Sequence, residues 1–264
     1  MHFIVLCNTI YKMNTLAKPT EQAYEELQLA YDWFNQRLFE GILPACLITF
    51  QRNKRTMGYF SKERFVDQSG KKTDEIALNP EYFAVISLDE LLSTLVHEMA
   101  HLWQYHFGKP GRTSYHNQEW ADKMLALGLC PSNTGRPGGK QTGDQMMDYM
   151  VENGRFSQEC RALVETKFKI SWYDRYTVAM PSYQAVKSFS ESQVHYVNDD
   201  AQTAEAGYKE PIPALSNPNL ELIARVENTS NRIKFRCGGC DAQAWGKPSL
   251  KLICGDCNQP MLSK

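Results

Sequence analysis

The 264-residue chain is 42% hydrophobic and 22% charged, and its 29 Lys+Arg against 30 Asp+Glu leave a formal charge of -1. That length allows one substantial core and a small second module. The balanced charge excludes a surface that is basic throughout, so any nucleic-acid footprint is local, and no run approaches the roughly 20 uninterrupted apolar residues of a membrane span.

The chain opens with "MHFIVLCNTIYKMN", whose apolar run is Phe3 to Cys7. It lacks a basic leader region and is shorter than the about 7–15 residues of a secretory apolar segment, so it reads as a short strand or as sequence ahead of a start at Met13. Residues 20–40 place Tyr24, Leu27, Tyr31, Phe34 and Leu38 at spacings of three and four. This makes one apolar helical face, with Thr20 as the cap and Gly41 and Pro44 as the stop. Three β-like runs come next, at 46–51, 56–62 and 74–79, with a polar turn between Asp67 and Lys72, and they predict a small antiparallel sheet.

The next helix starts at Ser87 with Glu90 in capping-box spacing and closes at Gly108 with Pro110 beyond. It carries "STLVHEMAHLWQYH" at 93–106. At about 100° per residue, His97 and His101 lie only some 40° apart around the helix, so both imidazoles reach one ion. Glu98 stands beside that face, where it can take a proton from a water acidified by Zn²⁺ and pass it to a leaving amine. H-E-x-x-H thus supplies two metal ligands and a general base. The competing reading is a helix whose histidines only pack or face solvent. Leu91, Leu92, Leu95, Met99 and Leu102 bury the helix, which suits a ligand held on a rigid element.

A third helix runs from Asn117 as N-cap through Trp120, Met124 and Leu127 to Gly128. A catalytic zinc needs a third protein ligand and an open fourth position. His106 is roughly 140° round the helix from His101 and points away, as a surface or packing histidine. His116, placed after the Gly108–Gly111 turn and just before the cap, can swing back over the helix. Glu119 is the runner-up, with N3 capping as its other role.

The run "HEMAHLWQYHFGKPGRTSYHNQEW", preceded by a helix and three short strands, resembles the metalloprotease domain of the SprT-like family, which includes the DNA–protein crosslink protease Spartan. The resemblance covers roughly residues 20–130 and the C-terminal module. It implies a zincin-like fold, a zinc held by His97, His101 and His116, and Glu98 as the base. Residues 131–229 carry no such correspondence.

Residues 131–143 are rich in Gly and Pro and predict a loop, 155–180 stay unassigned, and the polar 186–229 stretch reads as a linker. Of eight cysteines, Cys7, Cys46, Cys130 and Cys160 are scattered. "CGGC" at 237–240 and "CGDC" at 254–257, thirteen residues apart, present four thiolates with the spacing of a closed structural zinc site. A redox dithiol is the alternative. The strand-like "NRIKFR" and "SLKLI" before the two knuckles fit a zinc ribbon, as the resemblance also implies. From Ser230 to Lys264 six Lys/Arg oppose two Asp, a local net of +4. Trp245, beside Lys247 and near Lys251, could stack on a single-stranded base or else fill the ribbon's small core.

The expected architecture is therefore α+β: a metalloprotease domain over 14–185 with its core at about 20–130, in which helices pack on a small antiparallel sheet, a linker over 186–229, and a zinc ribbon over 230–264. The expected activity is a zinc metalloendopeptidase acting on protein substrates associated with DNA, single-stranded DNA being favoured. One catalytic and one structural zinc are expected, in a monomeric protein of the reducing cytoplasm with no membrane partner. Two alternatives are a nucleic-acid-binding ribbon protein whose HExxH domain is a scaffold, and a peptidase for a dedicated target without DNA.

Overall fold

The computed structural model describes residues 18–53, 56–178, 221–224 and 231–263. The opening apolar run, Met13, Lys264 and most of the 186–229 stretch lie outside the described residues. Two compact units are present, one reaching Ala224 and the other beginning at Arg225. Among the described residues, no helix is long and apolar enough to cross a membrane.

In the larger unit, helix α1 spans Pro19–Leu38 and buries Ala23, Leu27, Ala30, Tyr31, Phe34 and Leu38. Thr20 is not its cap. Pro19 occupies the first helical position, Lys18 precedes it, and no side chain caps the end. Proline suits that place because its ring fixes a helical φ and the N–H it lacks has no partner there in any helix.

Strands β1 (Leu47–Phe50), β2 (Gly58–Val66) and β3 (Lys72–Leu78) form one sheet in the order β1-β3-β2. The sheet is mixed, not antiparallel: β2 and β3 pair antiparallel, but β1 pairs parallel with β3, Ile48 opposite Ile76. Two successive reversals return β3 to the direction of β1. Once β3 occupies the centre, its pairing with β1 must be parallel. Strand β3 carries the apolar residues that can stand between two neighbours, with Ile76, Ala77 and Leu78 almost fully buried.

Helix α2 (Leu88–Phe107) packs against β2 and β3 of this sheet. Its Ser87 hydroxyl accepts the Glu90 N–H, and its buried face includes Leu91, Leu92, Leu95, Val96, Met99 and Leu102. Helix α3 (Gln118–Leu127) begins at the Asn117 cap, whose side chain accepts the Trp120 N–H, and ends at Gly128 in the left-handed region. A Cβ at Gly128 would also stand 2.8 Å from the Arg155 nitrogen, so glycine is required there on two counts.

The 131–143 stretch is not all loop. Strand β4 (Leu129–Ser132) leaves α3 and pairs antiparallel with β5 (Met147–Met150), Pro131 opposite Asp148. The unassigned region contains helix α4 (Arg155–Glu165), which buries Phe156, Cys160 and Leu163, and strand β6 (Tyr176–Thr177). Strand β7 (Ile223–Ala224) pairs with β6, so the 186–229 stretch carries a short paired element at its described residues.

The smaller unit is a sheet in the order β10-β8-β9: β8 (Ile233–Cys237), β9 (Gln243–Gly246) and β10 (Met261–Ser263). "SLKLI" forms no strand. Only Ile253 makes a bridge, to Pro260, because the strands pairing with β8 are those that leave each knuckle.

Candidate metal centre

The two histidines on α2 point to the same place because they are one helical turn apart, and His116 is brought to them by the turn between α2 and α3. Gln104, itself buried, donates from Nε2 to Asn117 Oδ1 at 2.7 Å and to Glu119 Oε2 at 2.8 Å. That pins the start of α3 against the end of α2, with His116 immediately before the cap. The histidine backbone is held in turn by Gly143: His116 N–H donates to the Gly143 carbonyl at 2.9 Å, and Gly143 N–H to the His116 carbonyl at 3.1 Å.

The result is a three-imidazole cluster whose ligand atoms on His97, His101 and His116 all lie within 4.8 Å of one another. The Nε2 atoms of His97 and His116 are 3.3 Å apart. A tetrahedral zinc with Zn–N bonds of about 2.0–2.1 Å would separate two ligand nitrogens by roughly 3.3 Å, so the donor set fits zinc in type and spacing. Trp120 lies against all three rings, its centroid 4.8 Å from His97, 5.2 Å from His101 and 4.4 Å from His116.

Electrostatics favour the neutral form at His101 and His116. Burial pushes His101 well below the ordinary imidazole value, and the charges of His97 and His116 push further the same way. Burial, then His97, brings His116 down to about 4. At His97 burial also lowers the value, but the Asp148 hydrogen bond and the charge of Glu98 outweigh it, and the net shift is upward. Glu98 is buried, and burial raises its carboxyl to about 7. The Asp148 charge adds to that rise, while the His97 charge and the Phe60 N–H oppose it.

The remaining candidates are placed elsewhere. Glu119 accepts hydrogen bonds from Gln104 and from the Lys109 N–H at 2.6 Å, and it does not join the histidine cluster. His106 pairs through Nε2 with Asp74 Oδ2 at 2.7 Å on the sheet side of α2.

Cys237, Cys240, Cys254 and Cys257 form the second cluster, their sulfurs also within 4.8 Å of one another. The two knuckles repeat one turn: Asp241 N–H donates to the Cys237 carbonyl, Asn258 N–H to the Cys254 carbonyl, and Asp241 and Asn258 both take positive φ. Backbone N–H groups of Cys240 and Gly239 bring the Cys237 thiol down to about 7, which favours the thiolate that binds metal. This arrangement fits a structural zinc better than a dithiol, since all four sulfurs converge.

Trp245 is 66% exposed, so it does not fill the ribbon core, where Phe235 is buried instead. It stands opposite Lys234 on β8, whose Nζ is 6.0 Å from the ring centroid. Lys247 and Lys251 are exposed in the segment after β9. Sequence reasoning does not single out Lys234, because only the strand register places it beside Trp245.

A SprT-like family model matches residues 27–136. A Salmonella typhimurium relative, described as "Uncharacterized protein in mucB 3'region", is 54% identical over 68 residues, 25% of this chain and 92% of that relative. The chain belongs to the SprT-like family. No solved structure matches it. As a SprT-like protein it has a zincin-like α+β fold and the general character of a zinc metalloprotease, and the matched segment contains HEMAH and His116 but ends before β5.

Proposed function

We propose that this SprT-like chain is a zinc-dependent endopeptidase that cleaves DNA-associated proteins. The observation that carries the peptidase reading is the convergence of three imidazoles, His101 and His116 held neutral, with the buried Glu98 carboxyl next to them on α2. His97, His101 and His116 would hold the ion, which supplies a Lewis acid that acidifies water and polarises a peptide carbonyl. Glu98 does the proton work: a carboxyl with proton affinity near neutrality accepts a proton from the attacking water and returns it to the amine nitrogen as the C–N bond breaks. The water oxygen ends on the carbonyl carbon. Trp120 closes the inner side of the three rings.

Support for a DNA-associated substrate comes from the ribbon. The exposed face of β8 and β9 carries Lys234 against Trp245, and Lys247 and Lys251 lie just beyond, an aromatic platform among cations that suits stacking on an unpaired base with phosphate nearby. Attachment through that face would raise the local concentration of DNA-bound protein around the peptidase unit.

The test is cleavage of a DNA-binding protein by the zinc-loaded chain, with and without single-stranded DNA, at two salt concentrations. Stimulation by DNA that weakens as salt rises, and that Trp245→Ala with Lys247→Ala blunts, is the expected result. Equal cleavage with and without DNA would instead favour a peptidase for a dedicated protein target.

A further inference from the structure

We propose that Asp148 is a positioning residue of the histidine metal centre, and that the β4–β5 hairpin carrying it is the outer support of that centre. The inference rests on the reading of His97, His101 and His116 as zinc ligands.

The Oδ2 atom of Asp148 is 3.0 Å from Nδ1 of His97, with only 8% and 11% of the two side chains exposed. A carboxylate accepts, so His97 carries its proton on Nδ1 and turns the Nε2 lone pair toward His116. The same logic holds for the second ligand, whose Nδ1 is 3.1 Å from the Gly143 carbonyl oxygen. An accepting carbonyl likewise fixes the Nδ1–H form and frees Nε2. Both supports, Gly143 and Asp148, come from one stretch of chain past the end of the matched family segment at residue 136. That gives residues 143–148 a task in the site that no motif in them announces.

The hairpin is tied to the ligand-bearing helices at several points. Strand β4 continues directly from α3 and pairs with β5 over Leu129–Ser132, the Val151 N–H donates to the Gly128 carbonyl, and Gly143 forms its two-way bridge with His116. Asp148 is thus delivered to His97 by a frame that also sets His116. The other oxygen of Asp148, Oδ1, is buried and has no hydrogen-bond partner among the described residues. A buried carboxylate is costly unless paired. Among the described residues Asp148 makes one such pairing, to a metal-ligating imidazole, and holds no loop or cap together with its second oxygen. Orientation of His97 is the role that accounts for its burial. Carboxylates in this relation to a ligating histidine typically contribute about 10–100-fold to metal affinity.

The experiment measures zinc at the histidine site of the full chain by chelator competition, with the four-cysteine site as internal reference, in the parent, Asp148→Ala and Asp148→Asn. The melting temperature of each metal-free variant is recorded alongside. Asp148→Ala is expected to weaken histidine-site zinc by about 10–100-fold while ribbon zinc is unchanged. Asp148→Asn, whose amide oxygen can still accept from Nδ1–H, is expected to fall between it and the parent, with a metal-free melting temperature close to the parent's. If Asp148→Ala does not fold, the near-isosteric Asp148→Asn still separates the outcomes. Parent-like zinc affinity in the folded variants would overturn the positioning role, as would losses that track only the melting temperature. A parent chain that takes up no zinc at the histidines would overturn the metal centre itself, a different result from failure of Asp148 alone.

Discussion

Gly58 packs against Glu98: a Cβ added at Gly58 would stand 3.3 Å from Glu98 Cγ, 3.1 Å from Thr94 Cγ2 and 3.0 Å from the Ala77 carbonyl oxygen. The end of β2 can approach α2 this closely only without a side chain. Gly58→Ala is therefore expected to displace the glutamate and lower peptide turnover while leaving zinc affinity near the parent's, because no histidine ligand is among the atoms crowded. Steady-state hydrolysis and zinc titration on the same preparation check this. Equal losses in both would place the effect on the whole site instead.

Zinc uptake should depend on pH through one proton. In the metal-free site His101 and His116 are held neutral, mainly by burial, whereas His97 is raised because Asp148 and Glu98 outweigh burial. A raised value means the proton is bound until the pH climbs past it, and zinc must displace that proton. Zinc affinity is expected to be level above the raised His97 value and to fall about tenfold per pH unit below it. Competition titrations across the pH range measure the slope. A slope of two protons would mean that a second ligand is also charged.

Trp120 is fully buried against the three imidazoles, and its indole Nε1 has no hydrogen-bond partner among the described residues. Trp120→Ala should cost about 3–5 kcal/mol of stability in the metal-free protein, through lost packing and the cavity it leaves. Trp120→Phe leaves a smaller void and removes an unpartnered N–H, so it should cost less and retain zinc. Denaturant unfolding ranks the two, and an alanine variant as stable as the parent would contradict the packing described.

Two independent clusters imply two independent losses of metal. Elemental analysis should find two zinc ions per chain, one after Cys254→Ala with Cys257→Ala, and one after His97→Ala with His101→Ala. Loss of both ions in either variant would mean that the clusters are not separate sites.

The helices that build the site are legible in the sequence because each is written in local terms. Ser87 and Asn117 are caps, Gly128 is a left-handed stop, and the i, i+4 histidines share a face whatever the helix packs against. The start of α1 is not legible in the same way, because Thr20 looks like a cap only if Pro19 is not already inside the helix. The parallel pairing of β1 depends on which strand takes the centre of the sheet, and no single strand encodes that. Gly143 ends the Gly- and Pro-rich stretch and Asp148 lies on β5, neither within a motif, and their value comes from a hairpin register and a backbone bridge formed across the fold. Trp245 belongs to the exposed face because Phe235 fills the ribbon core, a choice between two aromatics that spacing alone does not make.

In the proposed mechanism the histidines hold the ion while Glu98 moves the proton, and one variant separates the two roles. In Glu98→Gln the three imidazoles remain, so the histidine-site zinc content measured on the purified protein should equal the parent's. Hydrolysis of an unfolded protein substrate by that same sample should fall by roughly 10²–10⁴-fold, the contribution of a positioned general base. Full zinc with turnover at the parent's rate would contradict this division of labour.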